Sequence, residues 1–179
     1  MKTKKFAIWL GVIVFFSTIS YLWGILWNNI YSDGARVFFL ANRLNDIIDT
    51  IWSAMKEEVL WRFIPLIAIS FILSLIKFES SKKKKFISCS IAFVIILLIQ
   101  IRFGLAHYSI IFETEDWMIK HIILQGTMGV FYATAYNIIQ YYVKITTEIH
   151  LIFSHLIGLL SSFIIHSVSN ILLIIGLTF

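Results

Sequence analysis

KEEVLWRFIPLIAISFILSLI, residues 56–76, sets two adjacent carboxylates and an arginine at the head of an apolar run. From Phe63 to Ile76 no side chain carries a charge. A helix needs roughly 20 mostly apolar residues to cross a bilayer. We therefore read Val59–Ile76 as a membrane span with Glu57, Glu58 and Arg62 at its mouth. Ionisable groups at that depth are costly and usually face the interior of a bundle, where they mark functional sites.

The rest of the chain supports a membrane reading. Of its 179 residues, 59% are hydrophobic and 16% aromatic, against about 45–50% apolar in soluble domains. Phe6–Trp27 reads as a retained first span, since its apolar run is longer than a signal peptide's core and no small-residue cleavage site precedes Asn28. Within residues 28–56, apolar residues from Val37 to Trp52 recur at roughly helical spacing around Arg43, Asn45, Asp46 and Asp49. This predicts an amphipathic helix at the interface. Phe86–Phe112 and Trp117–Val143 read as further spans, separated by an acidic loop, Glu113–Asp116. Ile149–Phe179 is too long for one straight crossing, so it is either one tilted helix or two pieces broken near Gly158–Ser162. The expected fold is an all-α integral membrane protein: a single domain, residues 1–179, with about five to six transmembrane helices and one interfacial amphipathic helix. Its place is the cell membrane, as a multi-pass protein.

Charge sets orientation more than partners here. The excess of +5 comes largely from Lys2, Lys4 and Lys5 and from Lys77 and Lys82–Lys85. Beside apolar spans such clusters read as cytoplasmic borders held at anionic lipid, not as a nucleic-acid surface. Lys144 then returns to the cytoplasm and the acidic loop faces outward. One cysteine, Cys89, in an apolar run, leaves no disulfide or cysteine-zinc framework and reads as an inert thiol.

Lysine borders also give depth. At ~1.5 Å per residue, Glu57 stands roughly 30 Å from Lys77, His107 roughly 33 Å from Lys85, and His166 roughly 33 Å from Lys144. One carboxylate and two imidazoles thus reach a common level, a set suited to proton transfer or to metal ligation. Helical spacing sorts partners further. Glu58 and Arg62 are i, i+4 and can pair, while Glu57 is turned ~100° from Glu58. His166 with Asn170, and Phe103 with His107, share faces in the same way. Taken singly, each has a plain structural reading: an ion pair, an interface histidine, a hydrogen bond between helices. His121 and His150 read as interfacial, and His155 stays open.

Glu57-Glu58-Val-Leu-Trp-Arg62 is an EExxxR motif, Phe103-Gly-Leu-Ala-His107 an FxxxH motif, and His166-Ser-Val-Ser-Asn170 an HxxxN motif. In this order on separate helices, over residues 56–170, they resemble the CPBP family of CAAX proteases and bacteriocin-processing (Abi) proteins. The resemblance implies an intramembrane, glutamate-dependent endopeptidase without cofactor. Glu57 would be the general base, and His107 would help hold and activate the water. His166 and Asn170 would stabilise the oxyanion, and Arg62 with Glu58 would brace the first motif. Its substrate would be a membrane-associated peptide or protein, such as a leader-bearing or signalling peptide. Two other readings stand beside it: a non-enzymatic bacteriocin-immunity or peptide-binding membrane protein, and a zinc protease ligated by Glu57, His107 and His166.

Overall fold

The computed structural model describes residues 2–30, 43–75, 82–108, 115–147 and 150–176, and apart from His150 these are helical throughout. In chain order they form α1 (Lys2–Ile30), α2 (Arg43–Glu58), a π-helical turn (Val59–Phe63), α3 (Ile64–Leu75), α4 (Lys82–Tyr108), α5 (Glu115–Thr147) and α6 (Leu151–Gly176). Among them, the stretches Phe6–Leu26 of α1, Ile122–Thr147 of α5 and Leu151–Leu173 of α6 are long and apolar enough to cross a membrane. The apolar part of α4, Ser90–Ala106, is shorter, and α3 has 12 residues.

Two boundaries differ from the expectation, and the structure decides between the two readings of the last segment. The amphipathic stretch and the span after it are not separate: α2 passes into α3 through the π-helical turn with no loop between them. Its part before Arg43 lies outside the described residues, as do Lys77, Glu113 and Thr114 and the side chains of Lys2–Lys5, Lys82–Lys85 and Cys89. Glu115 and Asp116 belong to the first turn of α5, not to a loop. The last segment is one unbroken helix through Gly158–Ser162. The serines there do not break it because Ser161 donates to the carbonyl of Ile157 at 2.7 Å, four residues back. Its start is capped by His150, whose carbonyl accepts the Ser154 N–H at 3.2 Å and whose Nδ1 accepts the Ile152 N–H at 3.4 Å.

The core lies where α1, α5 and α6 meet, around Ile13, Phe16, Met128, Tyr132, Ala135, Ile139, Ile165 and Leu173. Contacts between Trp9 and Ser161 and between Gly24 and Leu173 advance together along both chains, so α1 runs parallel to α6. Pairs Gln140–Ser154, Tyr136–His155 and Tyr132–Ser169 run in opposite senses, so α5 and α6 are antiparallel. Lipid offers no hydrophobic drive to bring helices together, so close approach at small residues and polar bonds must do it. Both occur here. A Cβ on Gly158 would stand 3.1 Å from the Tyr136 carbonyl, and one on Gly126 would stand 3.3 Å from that of Gln100 on α4. Large apolar side chains such as Phe15, Leu22, Phe93, Leu98 and Phe153 point outward.

Candidate functional site

Pro65, the chain's one proline, shapes the segment that carries the site. Within a helix a proline has no N–H to give the carbonyl four residues back, here Trp61, and its ring crowds that carbonyl. Widening the preceding turn relieves the clash. The Ile64 N–H reaches the Val59 carbonyl, five residues back, which is the π pattern. The bared Trp61 carbonyl is met from α4, where Gln100 Nε2 donates to it at 3.4 Å. Such π turns often sit at functional sites, and this one lies directly after Glu57 and Glu58.

Glu58 is fully buried and holds three donors. Arg62 Nη1 donates to its Oε1 at 3.0 Å, His166 Nδ1 to the same oxygen at 2.8 Å, and the Ser162 hydroxyl to Oε2. A carboxylate only accepts, so His166 Nδ1 carries a proton. Arg62, also fully buried, lies 4.1 Å from the Phe103 ring and 5.3 Å from that of Tyr132. Tyr132 also stacks on His166, with ring centroids 4.4 Å apart. The tyrosine is fixed in turn by Ser169, 3.3 Å from its hydroxyl.

Glu57 stands on the next face, as the ~100° offset requires. Its side chain is 20% exposed, it accepts from Ser53 at 3.0 Å, and its Oε2 is 3.7 Å from His166 Nε2. His166 therefore has one nitrogen on each glutamate. The buried carboxylate orients the ring, and the second nitrogen looks toward the half-exposed one.

Of the residues picked from sequence, the structure gathers Glu57, Glu58, Arg62 and His166. Asn170 lies one turn further along α6, half-buried. His107 follows Phe103 by one turn near the end of α4, but its side chain lies outside the described residues. His155, left open, is buried beside Tyr136, whose hydroxyl is 2.8 Å from its Nδ1, away from the cluster. The side chain of His121 is outside the described residues. Ser162, Tyr132, Ser53 and Gln100 were not picked. Ser162 had a usable signal: it precedes His166 by four residues on a helix and so shares its face.

Among the described residues no three His, Cys, Asp or Glu side chains are arranged to hold a metal ion. Glu58 is also poorly suited to one, since a guanidinium already occupies its Oε1. The proposed zinc set includes His107, whose side chain is not among those described. No family model, no curated protein and no solved structure matches the chain.

Proposed function

We propose that the chain is a multi-pass membrane protein of five to six spans acting as an intramembrane endopeptidase of the CPBP type. The observation that carries this reading is the placement of His166 between two glutamates: 2.8 Å from Glu58 through Nδ1 and 3.7 Å from Glu57 through Nε2. The attacking water sits beside this pair and donates a hydrogen bond to Glu57. Glu57 takes a proton from that water as its oxygen attacks the peptide carbonyl carbon. The oxyanion of the tetrahedral intermediate is stabilised by the Asn170 amide and by an N–H at His166 Nε2, with His107 assisting at the water. Collapse breaks the C–N bond, and Glu57 returns its proton to the leaving amine. Glu58, Arg62 and Ser162 hold the histidine in place throughout. Burial of the supporting groups strengthens each of these interactions, because little water competes with them.

The test is a peptidase assay of purified protein in detergent against leader-bearing and signalling peptides, run with and without a strong zinc chelator. Cleavage that survives chelation is expected. Cleavage that stops on chelation and returns with zinc replaces this mechanism with the zinc reading.

The orientation that goes with it has Lys82–Lys85 in the cytoplasm and Glu113–Asp116 outside. The parallel course of α1 and α6 supports it, since α1 begins among Lys2, Lys4 and Lys5 and α6 follows the end of α5 that carries Lys144. Single cysteines placed in each loop of a Cys89→Ser background should react with an impermeant maleimide in intact cells only at the acidic loop. Labelling of the lysine loop alone reverses the orientation.

A further inference from the structure

Arg62 is wholly buried, and its Nη1 is satisfied by Glu58. Its Nε and Nη2 have no hydrogen-bond partner among the described residues. Gln100 on α4 has the complementary defect. Its Nε2 donates to the Trp61 carbonyl, while its Oε1 is buried with no donor among the described residues. Buried polar groups are rarely left unpaired, and these two meet at one place. A Cβ built on Gly129 of α5 would stand 2.4 Å from Gln100 Oε1 and 2.9 Å from Arg62 Nη2, with Phe103 Cδ1 3.0 Å away on a third side. Donor and acceptor thus share the small space that glycine leaves open. A slight turn of the carboxamide would bring Oε1 to the Nη2 donor.

We infer that Gln100 is a positioning residue: its carboxamide ties Arg62 to the backbone of the π-helical turn, and so fixes Glu58 and the Nδ1–H of His166. The chemistry requires a primary amide. The Trp61 carbonyl, bared by Pro65, needs a donor, and Arg62 needs an acceptor. Leucine supplies neither, and glutamate supplies only the second. Gly129 is the other half of the arrangement, because any larger residue would push into both atoms. The line of action runs from Pro65 through Trp61, Gln100, Arg62 and Glu58 to His166. It concerns the geometry of the cluster and stands whatever reaction the cluster performs.

The test reads His166 and not turnover. In detergent-solubilised protein labelled with ¹⁵N-histidine, the Nδ1–H of His166, held by a buried carboxylate, should give a protected downfield signal. His166→Gln assigns it. Gln140→Leu is the control, since it removes a buried-interface amide that bonds Ser154 on α6 and does not touch Arg62. Wild type and the control should keep the signal. Gln100→Leu should lose it while the helical circular dichroism is unchanged. If the Gln100→Leu protein does not fold, Gly129→Ala decides from the opposite side, by displacing the same two atoms, and it should lose the signal too. Persistence of an unshifted signal in a folded Gln100→Leu or Gly129→Ala protein overturns the inference.

Discussion

With glutamine in place of Glu57, peptide hydrolysis is expected to fall by ~10²–10⁴-fold, the range typical of losing a positioned general base. The substitution keeps the side chain's size and its bond from Ser53. It removes only the ability to take a proton beside His166 Nε2, 3.7 Å away. Peptide binding should therefore persist, and the thermal midpoint in detergent should change little, because Glu57 is the half-exposed member of the pair. Initial rates of cleavage, with binding measured separately, check both halves. A Glu57→Gln protein that retains the full biological effect sinks the peptidase reading and leaves the peptide-binding or immunity role in its place.

The second large effect is on stability. Arg62→Ala leaves Glu58 as a buried carboxylate stripped of its counter-charge, and breaking a buried pair in this way costs about 3–5 kcal/mol. It also empties the space beside Phe103, whose ring lies 4.1 Å from the guanidinium. Thermal unfolding in detergent should shift markedly downward. Arg62→Lys should recover only part of the loss, since an ammonium lacks the planar fork. Pairing Arg62→Ala with Glu58→Gln should be milder than Arg62→Ala alone, because no uncompensated charge is then buried. If Arg62→Ala melts with the wild type, the burial of this pair has been misjudged and Arg62 reaches water at the interface.

What the sequence could disclose depended on range. Helical spacing is local, so Glu58–Arg62 pairing and the turning away of Glu57 were both legible. The arrival of His166 at the same level was legible too, because lysine borders fix depth in a membrane. The partners that complete the site were not. Tyr132 comes from α5 with no motif around it, and only tertiary packing lays its ring on His166. On sequence alone, the stretch Gly158–Ser162 reads as well as a break in the last helix as it does as its continuation. In a helix with its own carbonyls available, a buried serine need not break anything, and Ser162 instead reaches Glu58. The single proline was visible, but the π-helical turn it favours was not, because no residue pattern specifies a bond five residues back. The separation of an interfacial helix from the span failed for the same reason. Polarity changes at Glu57 and Glu58, yet the backbone continues through them.

That continuity makes the site a matter of helical phase. The π-helical turn accommodates what amounts to one surplus residue between the glutamates and Pro65. With Pro65 still in place to widen the turn, removing any single residue from Val59–Phe63 would rotate everything before it by ~100° relative to α3. Glu57 and Glu58 would then swing off the face that meets α6, although every motif residue would still be present. Among sequences descended from this one, the segment should tolerate exchange of its side chains far better than a change in its length. The count of residues between Glu58 and Pro65 is then as diagnostic of an intact cluster as the identities of the residues themselves.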